Sequence, residues 1–190
     1  SRGYVVRNGA TRGYQIGLRT LELSSSILER MELRRRGLAY LHDLSDRTGS
    51  ASYLGVNHMG KVLVLETVYP AGVYNAATPG FGSTMPLHDS AMGWAMLAAM
   101  PPEERVKNIP TDQNLDREIA RTQCDGVAVI ERPREPHATV VGVAAVVRDY
   151  RGQVIGALGA STGKEDWDHR DQVGYKTHVI NAAAGLSFAL

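Results

Sequence analysis

Two runs near the C-terminal end of the chain leave little choice of fold. Val140 to Val147 contains only Val, Ala and Gly, and Val154 to Ser161 is nearly as apolar. Asp149-Tyr150-Arg151-Gly152 stands between them as a polar turn. Short, β-branched runs joined in this way read as an antiparallel hairpin. Because neither run alternates apolar with polar residues, both belong in the middle of a sheet, buried on two faces or facing a cavity. The rest of the chain must supply flanking strands and covering helices.

Those elements can be read in order. Residues 3–16 form a short hairpin, with Tyr4-Val5-Val6 and Tyr14-Gln15-Ile16 flanking the turn dipeptide Asn8-Gly9. Alone it has no core to pack on. It reads as the last piece of a domain whose remainder lies outside the chain, and Ser1-Arg2-Gly3-Tyr4 reads as a cut within a longer protein. Leu18, Leu21, Ile27 and Leu28 recur at helical spacing over residues 17–36, and Gly37 interrupts. A second amphipathic helix presents Leu38, Leu41 and Leu44, and Thr48-Gly49 stops it with glycine where a positive φ costs little. Ala51–Val56 and Lys61–Tyr69 make a hairpin across a four-residue turn, Asn57 to Gly60. An irregular glycine-rich stretch, 70–85, leads to a helix from Ala91 to Met100, N-capped by Asp89 or Ser90 and ended by Pro101-Pro102. Helical fragments at 103–106 and 114–122 follow, then a strand Val127–Ile130 and a polar loop 131–138. A helix from Asp166 to Leu190 closes the chain after the apolar hairpin. Hairpins with helices bunched between them predict an α+β fold, one antiparallel sheet with helices packed on it.

Composition narrows the function. The 190 residues, 43% hydrophobic and 22% charged, suit one ordinary globular domain. A single cysteine permits no intrachain disulfide and suits a reducing cytoplasm. No apolar stretch reaches transmembrane length and no signal peptide is apparent, so no membrane partner is expected. Net charge is +1, but residues 1–36 hold eight arginines against Glu22, Glu29 and Glu32, a local +5 that leaves −4 for the remainder. That asymmetry fits either an N-terminal end lying near something anionic or a solvated helix face.

Catalytic chemistry is hard to find. Gly156 to Ser161 is glycine-rich, yet it sits in a strand with no helix directly after it, so it is no dinucleotide fingerprint and no cofactor is expected. The six histidines show no pairing at metal-ligand spacing, and one cysteine makes a structural zinc site improbable; no metal is expected. His88 reads as a partly buried imidazole bonded to a backbone carbonyl. Cys124, at a helix end rather than a helix start, reads as a packed residue. There is no nucleophile elbow. What can bind is the helix opening at Asp89, whose first amides lack intrahelical partners and carry the positive end of the dipole. A small carboxylate could lie there, with Ala91 and Gly93 small enough for close approach. The side chains of Asp89 and Ser90 could instead fill that place as ordinary caps.

These residues resemble a family. Gly82 to Ala98, GSTMPLHDSAMGWAMLA, resembles the G…PLH.TA.GKALLA block of the IclR regulators of bacterial transcription. Gly3-Tyr4-Val5 and the RGYQIGL of 12–18 are similar to the end of their winged helix-turn-helix and its linker helix. Asp46-Arg47-Thr48-Gly49 resembles their LAE.TG segment, and Ala144 to Leu158, AAVVRDYRGQVIGAL, their IAAPV.D..G.VVAAL strand pair. The resemblance implies a wing remnant over 1–16, a linker helix over 17–36 and a GAF- or profilin-like effector-binding domain over 37–190. In that domain a curved antiparallel sheet would cup a small-molecule pocket. It implies partners too: a small organic acid effector, DNA through an N-terminal domain not in this chain, and a second copy in a homodimer or homotetramer.

Carried over position by position, the resemblance puts the effector carboxylate on the amides of Ala91 and Met92, beside His88 and Ser90. Tyr74, Ala77 and Met85 would form the wall, and Glu131 the acidic residue. Gly142 stands where the family often has Cys or Ser, and Gly159 and Ser161 where it has two serines. Trp94 replaces a lysine, Val146 replaces a proline, and the loop Pro133 to His137 departs from the family pattern. Two glycines in the wall would make room and remove hydrogen bonds. The expected effector is therefore larger or more apolar than a two- or three-carbon keto acid, an aromatic acid first, against Tyr74, Met85 and Met92. The competing readings are an enzyme acting on a small organic acid through His88 or Cys124, and a ligand-free dimerisation module.

Overall fold

The computed structural model describes residues 2–8, 13–71, 78–108, 113–134 and 138–190. The chain divides into two compact units, residues 1–35 and 36–190. In the first, β1 (Val5–Arg7) pairs antiparallel with β2 (Tyr14–Ile16), Val6 opposite Gln15. Helix α1 (Arg19–Arg30) has no buried residue. The single helix expected over 17–36 is corrected: Met31 turns extended at ψ 94° and ends α1, and α2 (Glu32–Thr48) begins at once. Gly37 does not interrupt α2 either. A Cβ there would lie 2.7 Å from Leu54 Cδ2, so the missing side chain lets α2 press onto a strand. That contact offsets the roughly 1 kcal/mol that glycine costs inside a helix.

The second unit is built on one six-stranded, curved antiparallel sheet. Its strands are β3 (Ala51–His58), β4 (Lys61–Val68), β5 (Thr84–Pro86), β6 (Ala128–Arg134), β7 (Ala138–Arg148) and β8 (Val154–Gly163), in the order β5-β4-β3-β8-β7-β6. The apolar hairpin β7–β8 lies inside the sheet, as its lack of alternation requires. Between β5 and β6 come a 3-10 turn (Leu87–Asp89), α3 (Ala91–Ala99), α4 (Pro102–Asn108) and α5 (Gln113–Asp125). After β8 come α6 (Lys164–His169) and α7 (Gln172–Ala189).

Four local expectations change. The β3–β4 turn is only Met59-Gly60, both at positive φ (52° and 75°), the mirror-image turn that matches strand twist; Asn57 and His58 are strand. Strand β6 runs four residues past Ile130. Pro133 is accommodated because β6 is an edge, where a missing N–H costs no ladder bond. The closing helix is two helices, since Asp171 accepts bonds from the Val173 and Gly174 amides and so caps α7. Cys124 is exposed rather than packed, because the buried stripe of α5 runs through Leu115, Ile119 and Thr122.

Both faces of the central strands are covered. Ala128, Ile130, Ala144, Ala157 and Tyr53 join the core around α3, which is apolar on every side and buried from Ala91 to Ala98. Residues of the other parity, Leu54 among them, turn toward α2 and α7, where Leu54 and Leu186 meet over Gly37. Helix α3 sits so close to the 3-10 turn that a Cβ on Gly93 would fall 1.9 Å from the Leu87 carbonyl oxygen. Tyr175 anchors α7: its ring meets Trp167 edge-on at 5.5 Å and carries the Arg170 guanidinium at 5.2 Å. The Tyr175 hydroxyl is buried without a hydrogen-bond partner among the described residues. Burial pushes its pKa up to about 12.

Two outcomes follow from this packing. Gly93→Ala should lower the unfolding free energy by about 2–3 kcal/mol in urea titration, since backbone must move. Gly80→Ala, which meets nothing within 4 Å, should be close to neutral. Because the folded pKa of Tyr175 lies above its ordinary 10, the stability contributed by its neutral form is complete below pH 10 and lost as pH rises toward 12. Tyr175→Phe should flatten that alkaline loss in pH-dependent melting; an unchanged profile would place the titration elsewhere.

Candidate functional site

A cavity of about 500 Å³ opens where the start of α3 meets the sheet. Strand register builds its floor. Ser161 on β8 stands opposite Gly142 on β7, and Gly142 opposite Ile130 on β6. One step along, Gly163, Val140 and Arg132 form the next row. Alternation turns all of these to one face. Tyr53 and Met85 join the lining from β3 and β5, and the Tyr53 hydroxyl is hydrogen-bonded to Ser161 Oγ at 2.8 Å.

The α3 end is chemically defined. Ser90 is extended (φ −150°, ψ 149°), and its Oγ accepts from the Gly93 amide at 3.0 Å. Its carbonyl accepts from the Trp94 amide at 2.9 Å, the first bond of the helix. Ala91 and Met92, which both line the cavity, precede any intrahelical donor. The cap is therefore Ser90, and the first two residues of α3, whose amides precede the helix's own bonds, line the cavity.

Of the residues carried over from the family, Met85, Ser90, Ala91, Met92, Gly142, Gly159 and Ser161 line this one cavity. Tyr74 and Ala77 lie outside the described residues; Tyr69, Pro70, Thr78 and Pro79, on either side of them in the chain, are in the lining. His88 and Glu131 do not line it. The His88 side chain is exposed, correcting the expected half-buried imidazole; only its carbonyl works locally, accepting from Trp94 Nε1 at 2.9 Å and Arg132 Nη2 at 3.2 Å. Glu131 points away because it is one residue out of phase with Ile130 and Arg132, and its carboxylate reaches toward Lys164 at 3.8 Å. Asp168 holds that ammonium more closely and pushes it above its ordinary range. The charged residue that does enter from β6 is Arg132, beside Ile130. The alternation Ala128, Ile130, Arg132 could have found it had the strand been carried past Ile130.

The glycines of the wall also change meaning. A Cβ on Gly159 would lie 2.5 Å from the Val143 carbonyl oxygen, and one on Gly142 would lie 3.3 Å from Ala91 Cβ and 3.4 Å from Ile130 Cγ2. Gly159 serves backbone packing, and Gly142 lets the start of α3 approach β7. Packing alone accounts for both, without reference to a ligand. Gly93 likewise faces Leu87 and not the cavity. Neither His88 nor Cys124, the two residues considered for catalysis, is in the lining. Among the described residues no three His, Cys, Asp or Glu side chains gather as metal ligands, and no helix is long and apolar enough to cross a membrane.

A curved antiparallel sheet with a small-molecule cavity at the start of a buried helix defines an α+β domain of the ligand-cupping kind. Residues 25–188 match the family model described as bacterial transcriptional regulator IclR, C-terminal, and the chain belongs to that family as its effector-binding domain. It is 29% identical over 173 residues to the glycerol operon regulatory protein of Streptomyces coelicolor, covering 86% of this chain and 67% of that protein. To the glycerol operon regulatory protein of Streptomyces griseus it is 30% identical, covering 85% and 66%. The chain thus spans about two thirds of the length of these relatives. The crystal structure of Thermotoga maritima IclR shares the fold, with TM-score 0.78 at 21% identity over 99% of this chain and 80% of that one.

Proposed function

We propose that this chain senses a small organic carboxylate for a DNA-binding transcription regulator, and that it is not an enzyme. The observation that carries the reading is the cavity of about 500 Å³ with the Ala91 and Met92 amides at one end. Amides at a helix start donate to a carboxylate and add the field of the dipole. The volume exceeds what a two- or three-carbon acid fills, and Met85, Met92 and Ile130 give apolar contact. An aromatic acid remains the preferred effector on volume and lining alone, since the glycines no longer speak for it. Residues 1–16 are read as a wing remnant, 17–36 as the linker, now α1 and the start of α2, and 37–190 as the effector-binding domain; the division of the chain after Arg35 supports that partition. Copies of the chain pair as homodimers or homotetramers in the cytoplasm, a reading supported by the exposed Leu21, Leu23 and Ile27 of α1. Effector binding would then bias the placement of the DNA-binding domains.

A thermal-shift screen of the chain against benzoates, succinate, pyruvate and sugar acids tests the sensor. An acid present at a hundred times its Kd stabilises by about 2.7 kcal/mol, roughly 5–10 °C for a chain of this size. Ser161→Leu, which fills the floor of the cavity, should abolish the shift while the protein stays folded. No shift with any acid sinks the carboxylate reading, and a shift confined to pyruvate sinks the aromatic one. Light scattering should report two or four copies per particle; a monomer at tens of micromolar would remove the pairing.

A further inference from the structure

Arg132 has no counterpart among the residues carried over from the family, and its surroundings single it out. Among the described residues that line the cavity it is the only cation, and Asp89 and Asp166 are the two carboxylates in the same lining. It is held from three sides. Nε donates to Asp89 Oδ1 at 2.5 Å, Nη2 donates to the His88 carbonyl at 3.2 Å, and the guanidinium lies over the Trp94 ring at 5.7 Å. Nη1 reaches the Glu131 carbonyl only at 3.5 Å. A guanidinium offers five N–H donors in a fixed fork. Three are engaged by these contacts, and two have no acceptor among the described residues.

The contacts also place the fork. Asp89 and His88 belong to the 3-10 turn that leads into Ser90, Ala91 and Met92, so the guanidinium stands beside the start of α3. Two of the anchors are themselves fixed. The His88 carbonyl also takes the Trp94 indole N–H at 2.9 Å, and Trp94 is buried in α3. A cation preorganised in this way binds an anion without first paying to order a long side chain. Asp89 plays two parts: it holds the fork in place, and it competes for it.

We infer that Arg132 is the specificity-determining residue of the cavity, the group that makes it select an ionised carboxylate over an uncharged ligand of the same shape. The inference rests on the carboxylate reading above. In the filled cavity the free N–H groups of Arg132 donate to the ligand carboxylate, and the Asp89 pair yields in part.

The test is calorimetric titration of the chain with three acids and their uncharged amides: benzoate and benzamide, 4-hydroxybenzoate and 4-hydroxybenzamide, succinate and succinamide. Arg132→Gln should weaken the acid that binds by about tenfold or more, the range for hydrogen bonds to charged groups. It should leave the amide nearly unchanged, so that the preference for acid over amide collapses. Arg132→Lys should restore part of that preference, which a purely structural role would not. Asp89→Asn should tighten the acid, and the gain should vanish in the Asp89→Asn, Arg132→Gln double variant. If the acid-over-amide preference survives in Arg132→Gln and Asp89→Asn brings no gain, the inference is overturned while the sensor reading stands. If no acid binds the unaltered chain, the carboxylate reading falls and takes this one with it.

Discussion

The seating of α3 governs the rest of the second unit. An α-helix with apolar residues on every side must be enclosed, and α3 is enclosed by the sheet, the 3-10 turn and α5. Its approach is closer than side chains ordinarily allow. Gly93 lets the helix touch the Leu87 carbonyl, and Gly142 lets Ala91 reach β7. A Cβ at Gly93 would collide with the Leu87 backbone, and one at Gly142 would press on Ala91 and Ile130, so the two glycines set how the start of α3 meets the 3-10 turn and β7. The same close packing that stabilises the core therefore sets the geometry of the site.

The curvature of the sheet completes the arrangement. Six antiparallel strands curl around the start of α3, while α2 and α7 cover the other face. The cavity is the part of the concave face that α3 is too short to cover. It inherits both characters of its walls: small apolar residues from β7 and β8, and polar groups from the helix start, Tyr53, Ser161 and Arg132. One end of the cavity is polar and the rest is apolar.

Much of this was readable in the residues. The β7–β8 hairpin declared itself by β-branched content and the absence of alternation. The positive φ at Gly49 and a cap at Asp89 or Ser90 were legible because each is a local requirement, decided within a few residues; the structure chose Ser90. Reading failed where local signals met a tertiary demand. Gly37 looked like a helix stop, but packing against Leu54 kept the helix going. Glu131 looked like the acidic site residue, but strand phase turned it outward and brought Arg132 in. The wall glycines looked like space for a ligand, but Gly159 gives space to the Val143 backbone and Gly142 to the side chains of Ala91 and Ile130.

The sequence by itself determined the class of fold, most of the order of its elements and the helix start that meets the cavity. These depend on periodicity, turn residues and caps, which act over short separations. The tertiary structure alone decided which side chains share the cavity. That depends on register between β6, β7 and β8 and on how closely α3 approaches them. A shift of one residue in a strand exchanges the two faces, and no local signal reports it. Arg132 is the clearest case: an arginine at the edge of a polar loop in the sequence, and the only cation among the described lining residues once β6 pairs with β7.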